Sequence, residues 1–86
     1  MDSKEAIELV AEKVELNEGE EFNVTQLDDY TNFWYITKTT CDEAILVGGY
    51  AYAVNIETRR IFSVPGNMPA HFNLRSILEG DAIELG

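Results

Sequence analysis

Apart from its carboxylates, this 86-residue chain carries few side chains that could do chemistry. His71 is its only histidine and Cys41 its only cysteine. A zinc site needs three or four His, Cys or carboxylate ligands. Neither residue has such partners at ligand spacing, so no metal is expected. A lone cysteine excludes an internal disulfide and fits a reducing compartment. Cys41 and His71 could meet in space as nucleophile and base, which would make a small hydrolase. The simpler reading is an incidental or packed thiol and a partly exposed histidine on a helix. With sixteen acidic residues, some pair will reach glycosidase spacing by chance. Most of them lie on one amphipathic segment and its loop, where a solvated face accounts for them. Gly48-Gly49 is followed by no Lys-Ser or Lys-Thr, so it reads as a bulge or tight bend and not as a phosphate loop. The residues thus point away from catalysis, and no cofactor is expected.

Charge narrows the remaining choices. Sixteen acidic residues face six basic ones, for a formal net charge of −10. Residues 1–29 hold ten of the acids against only Lys4 and Lys13. Such a field repels phosphate backbones and anionic lipids, so neither nucleic acid nor a membrane surface is an expected partner. It speeds encounter with a basic protein, although acidity also serves simply to keep a small domain soluble. The start Met1-Asp2-Ser3-Lys4-Glu5 lacks the basic, then apolar, pattern of a signal peptide. No apolar run approaches a membrane span. The expected location is the cytoplasm.

The elements that must position these residues follow from periodicity. Asp2 as N-cap, Glu5 three residues on, and apolar Ala6, Ile7, Val10, Ala11 and Val14, with Leu9 and Leu16 widening one edge of the stripe, predict an amphipathic helix ended by Asn17 and Gly19. Phe22 and Val24 alternate with polar neighbours as a first strand, and Asp28-Asp29-Tyr30-Thr31-Asn32 is a turn. Phe33-Trp34-Tyr35-Ile36-Thr37 is the richest strand signal. Thr40 to Glu43 reads as a connection, and Ala44–Val47 as a short strand or helical turn ended by Gly48-Gly49. Tyr50 to Glu57 is a strand with Tyr50, Tyr52, Val54 and Ile56 on one face. A turn near Thr58-Arg59 joins it to Arg60–Val64 as a hairpin that lacks the favoured glycine. A second helix is expected from an Asn67 N-cap to Gly80, with Pro69 in its first turn and Phe72, Ile77 and Leu78, with Leu74 or Arg75 between, as an imperfect apolar stripe. The tail Asp81–Gly86 is either frayed or a short edge strand. Together these predict one α+β domain over residues 1–86. Its antiparallel sheet has about four strands, with an N-terminal helix and a short C-terminal helix packed on one face.

The aromatics carry the functional signal. Phe33 and Tyr35 point one way from their strand, and Trp34 and Ile36 the other. Both faces are therefore apolar, while the helices are expected to cover one. Either loops hide the second face or it is an interaction surface. Tyr and Trp are the usual interface anchors, and a rim of acids selects a basic partner. The candidate partner-binding residues are Trp34, Tyr35, Tyr50 and Tyr52, with Asp28, Asp29, Asp42 and Glu43 nearby. Core packing is the competing fate of each aromatic. Arg59-Arg60 is a small basic island, either a solvated turn or a contact for a carboxylate of the partner.

The stretch Val47-Gly48-Gly49-Tyr50-Ala51-Tyr52-Ala53-Val54-Asn55-Ile56-Glu57-Thr58-Arg59-Arg60-Ile61-Phe62-Ser63-Val64-Pro65-Gly66 resembles the YrhB-like, immunity-protein-35-type bacterial domain. The opening helix with Glu5-Ala6 and the aromatic strand Phe33-Trp34-Tyr35 are also similar. The chain departs from that pattern at the hairpin, where the usual Asp-x-x-x-Gly is Asn55-Ile56-Glu57-Thr58-Arg59. It departs again where Ser63 and Val64-Pro65-Gly66 replace a simpler Leu-Gly. The resemblance implies a non-enzymatic binding protein that neutralises a co-encoded bacterial toxin by occlusion, and it supplies no catalytic residues. The alternative is an adaptor or chaperone-like module that binds many clients through the same sheet.

Overall fold

A computed structural model describes residues 1–40 and 50–85. The elements run α1 (Ser3–Lys13), β1 (Glu20–Thr25), β2 (Phe33–Thr40), β3 (Tyr50–Asn55), β4 (Ile61–Pro65), α2 (Ala70–Leu78) and β5 (Ile83–Leu85). The strands form one antiparallel sheet in the order β1-β2-β3-β4-β5. The α+β class and antiparallel sheet are as the sequence predicts. The sheet has five strands rather than about four, because the tail pairs as an edge strand, Ile61 opposite Leu85 and Ser63 opposite Ile83. The segment Ala44–Val47, Gly48-Gly49 and Cys41 lie outside the described residues.

The two helices do not share a face. Ala6 and Val10 of α1 pack with Ile36, Tyr52, Val54 and Ile61. Leu74 and Ile77 of α2 pack with Phe33, Tyr35, Ala51, Ala53 and Val64. Strand side chains alternate, so Ile36 and Tyr35, or Tyr52 and Ala53, mark opposite faces of the sheet. The physical reason for this departure lies in β2 and β3. Both carry apolar groups on both faces, and each face needs its own cover. Val10, Ile36, Val54, Val64 and Leu74 are fully buried. Each such side chain contributes roughly 1.5–3 kcal/mol relative to exposure.

Local chemistry explains most element ends. The Asp2 carboxylate accepts a hydrogen bond from the Glu5 amide at 2.9 Å, which starts α1. The helix stops at Lys13, earlier than its apolar spacing suggests, and Val14 is already extended at φ −130°. Val14 is β-branched, and Glu12 and Glu15 place negative charge beside the negative helix end. Ala11 faces solvent, and Leu9 takes its place beside the core. At α2 the cap is Pro69, not Asn67, and no side chain caps it. Leu74 and Ile77 of the expected α2 stripe are buried, but Asn73 is buried with them while Phe72 and Leu78 are exposed. The C-terminus of α2 closes in a Schellman turn. Gly80 N–H donates to the Ile77 carbonyl at 3.1 Å and Asp81 N–H to that of Ser76 at 2.8 Å. Gly80 sits at φ +85°, a conformation that a side chain would strain.

Candidate functional site

The fold separates the aromatic and acidic residues that the sequence grouped as one contact surface. Trp34 and Tyr52 lie on the α1 side of the sheet, Trp34 half-buried and Tyr52 buried. The Trp34 indole Nε1 donates to the Met1 carbonyl at 3.5 Å. Tyr35 is buried on the other side, beneath α2. Tyr50 alone is open, at 61% exposure. Asp28 and Asp29 are exposed at the tip of the β1–β2 connection, where the Tyr30 amide bonds the Leu27 carbonyl. That connection leads into Phe33, which pairs with Asn55, whereas Tyr50 pairs with Pro65 at the other end of β3. The two ends of this six-residue strand are about 17 Å apart. Asp42 and Glu43 lie outside the described residues. The proposed aromatic centre is therefore largely core, because each sheet face already has a helix on it.

What the fold does assemble is an apolar cleft at the Tyr50 end. It has a volume of about 250 Å³ and is lined by Tyr50, Val64, Phe72, Asn73, Asp81 and Ile83, with Pro65, Ser63, Ser76 and Ala82 completing it. Three of its apolar residues are strongly exposed: Tyr50 at 61%, Phe72 at 49% and Ile83 at 70%. Each arrives by a different route. The pairing of Tyr50 with Pro65 ends the β3–β4 ladder there. Phe72 projects from α2 off its buried stripe. The Schellman turn sets Asp81, and β5 then places Ile83 opposite Ser63. Asp81 is the only carboxylate among the described lining residues, and no Lys or Arg is among them.

Beneath the cleft, Asn73 is 1% exposed and fixes α2 to the sheet. Its Nδ2 donates to the Tyr35 hydroxyl at 2.9 Å and to the Pro65 carbonyl at 2.8 Å. The amide cannot reverse without setting Oδ1 against that carbonyl, so its orientation follows from the bonds. Oδ1 is left buried with no partner among the described residues. Such a group costs about 1–3 kcal/mol, which the two Nδ2 bonds offset. Burial pushes the Tyr35 phenol above the ordinary tyrosine range, and the bond from Asn73 opposes part of that rise. Tyr52 is also pushed up, by burial first and by neighbouring Tyr50 second.

A second, more open groove runs along α1, lined by Glu5, Glu8, Leu9, Glu12 and Arg59. Arg59 comes from the β3–β4 turn and meets Glu5 at 3.5 Å, with both side chains largely in solvent. This turn is built on Asn55, whose Oδ1 accepts from the amides of Glu57 and Thr58 at 2.9 and 3.0 Å. Arg59 then adopts φ +62°, the left-handed conformation glycine would favour. The missing hairpin glycine of the sequence pattern is thus a real left-handed position held by arginine.

The arrangement is suited to binding. Ser76, the hydroxyl nearest the cleft's acid in sequence, donates back to the Phe72 carbonyl at 3.1 Å. His71 is exposed on α2 and is not among the lining residues. Among the described residues, no group of three or more His, Cys, Asp and Glu could hold a metal ion, and no helix is long and apolar enough to cross a membrane. Sequence reasoning missed Phe72, Asp81 and Ile83 as surface residues. The spacing places Phe72 on the apolar stripe of α2, whereas in the fold Asn73, Leu74 and Ile77 take the buried face. Comparison of the sequence with protein-family models finds no match, and comparisons with curated proteins and with solved structures find none either.

Proposed function

We propose that this chain is a non-enzymatic binding protein for a basic protein partner and, in its most specific form, an immunity protein that neutralises a co-encoded bacterial toxin by occlusion. One observation carries the reading. Tyr50, Phe72 and Ile83 are exposed apolar residues that border one mainly apolar cleft, on a chain with sixteen acidic residues against six basic ones. Exposed apolar groups gathered in one place mark interaction sites on small soluble proteins. The charge favours a basic partner and fast encounter, and the hairpin's likeness to an immunity-protein domain supports the narrower form. The test is a growth assay. The neighbouring reading frame is expressed in a heterologous bacterium, with and without this protein. Killing by the neighbour and rescue by this chain is the expected result. A harmless neighbour, or killing that persists beside well-expressed folded chain, removes immunity to that neighbour.

A second reading, an adaptor or chaperone-like module with many clients, is favoured by the modest size and apolar character of the cleft, which would bind side chains without demanding one shape. A pull-down separates the two. One dominant basic protein at equal stoichiometry favours immunity, and a broad set of clients favours the adaptor.

A further inference from the structure

We infer that the cleft between β4, α2 and β5 receives an arginine side chain of the partner; the inference rests on the binding reading above and names what that site recognises. Drug-sized ligands need pockets of about 300–1,000 Å³, and this cleft, at about 250 Å³, suits a single long side chain. Its lining is mainly apolar and includes aromatic Phe72. Its charge comes from one carboxylate, Asp81, with no cation among the described lining residues. Asp81 lies three residues past the last residue of α2, Leu78, and is held by its amide against the Ser76 carbonyl at the helix end, which carries partial negative charge. An apolar stem, a planar cation and a carboxylate partner together describe arginine. Its methylenes lie along apolar walls, and its guanidinium stacks on aromatic faces and bonds carboxylates in a fork. Charge also decides against a second copy of the chain as occupant. That would bring another −10 surface against the first, which costs association energy.

The position of Asp81 is built in and does not depend on a flexible loop. Its amide is the outer bond of the Schellman turn, to the Ser76 carbonyl at 2.8 Å. Asp81→Asn therefore retains that backbone bond while removing the charge.

The experiment is an amide chemical-shift titration of the whole chain with two short peptides, acetyl-Gly-Arg-Gly-amide and its neutral citrulline analogue. The expected result is a set of shifts at Tyr50, Phe72, Ser76, Asp81, Ala82 and Ile83 with millimolar affinity for the arginine peptide. Citrulline on the unaltered protein, and arginine on Asp81→Asn, should each bind roughly five- to tenfold more weakly, the loss of one charge-assisted contact. Three results would overturn the assignment. They are shifts confined to Glu5, Glu8 and Glu12, equal binding of the two peptides, or no cleft shifts at tens of millimolar peptide. The outcome is separable from that of the growth assay. Undiminished rescue by Tyr50→Ala, Phe72→Ala and Asp81→Asn would sink the cleft assignment alone. Selective arginine binding beside a harmless neighbour would sink only the immunity reading.

Discussion

Arg59 offers a sharp test of the local reasoning, because its backbone and side chain push stability in opposite directions. Its φ of +62° places it in the left-handed region, which costs an ordinary L-residue about 1–2 kcal/mol. Glycine removes that cost but adds freedom to the unfolded chain worth about 0.4–1 kcal/mol. The side chain contributes only the ion pair to Glu5, at 3.5 Å, between groups 64% and 48% exposed. A pair so open to solvent adds a few tenths of a kcal/mol at most. Arg59→Gly should therefore stabilise the domain by about 0.5 kcal/mol, a rise of roughly 2–4 °C in Tm for a chain of this size. Arg59→Ala keeps the strained backbone and loses the ion pair, so it should fall slightly below the parent. The gap between glycine and alanine, about 1 kcal/mol, isolates the backbone contribution. Urea unfolding of the three proteins at neutral pH measures it through the midpoint at constant slope. Repeating the series in high salt screens the ion pair and should bring Arg59→Ala level with the parent while the glycine advantage persists. Alanine equal to or more stable than glycine would refute the argument.

The cleft floor, the buried tyrosines and the turn after α2 yield three further expectations. Tyr35→Phe removes the hydroxyl that accepts from Asn73 and should cost about 1 kcal/mol. The same phenol, like that of Tyr52, is pushed up by burial, so the folded chain holds these protons where the unfolded chain has released them. Stability should be fully present below about pH 10, the unfolded tyrosine value, and fall as pH rises toward the folded ones. Unfolding midpoints between pH 8 and pH 11 check this, with a shallower decline expected for Tyr35→Phe; a midpoint that holds steady through pH 11 would contradict it. Gly80→Ala meets no steric obstacle but must adopt φ +85°, so thermal unfolding should show a loss of about 1 kcal/mol and the arginine peptide should bind more weakly as Asp81 shifts.

How far the sequence revealed this molecule depended on the range of the interactions involved. The start of α1 was legible because Asp2 and Glu5 satisfy it within one turn. The hairpin and the opposed faces of β2 and β3 were legible because alternation is a local pattern. The end of α2 was marked by Gly80. The side on which each helix lands was not, since that is decided by which sheet face remains uncovered. Asn73 was unreadable as core for a related reason. Its burial is compensated by Tyr35 and the Pro65 carbonyl, and Tyr35 lies 38 residues away. The cleft was hidden most fully. Tyr50, Phe72, Asp81 and Ile83 come together only through the β3–β4 register, the Schellman turn and the pairing of β5. Trp34, Tyr35, Tyr50 and Tyr52 do not share one surface in the fold, because aromatic density in the sequence does not distinguish an anchor from a core residue.

The geometry divides the work of binding between two regions. The open carboxylates of Glu5, Glu8 and Glu12 line the groove on α1, on the opposite face of the sheet from α2. The outer side of a helix stands about 10 Å beyond its packed face, more than a Debye length of about 8 Å at physiological salt. Those carboxylates thus contribute little to the energy of a contact seated at Asp81, yet they act on an approaching basic protein before contact forms. Glu8→Gln with Glu12→Gln should slow association and flatten its salt dependence while leaving dissociation nearly unchanged. Phe72→Ala should do the reverse, because apolar packing in a formed contact is felt mainly in dissociation. Rate measurements against the partner, or against any basic protein that the growth assay or pull-down supplies, check both. A glutamate pair that altered dissociation as strongly as Phe72→Ala would place α1 inside the contact and overturn the division.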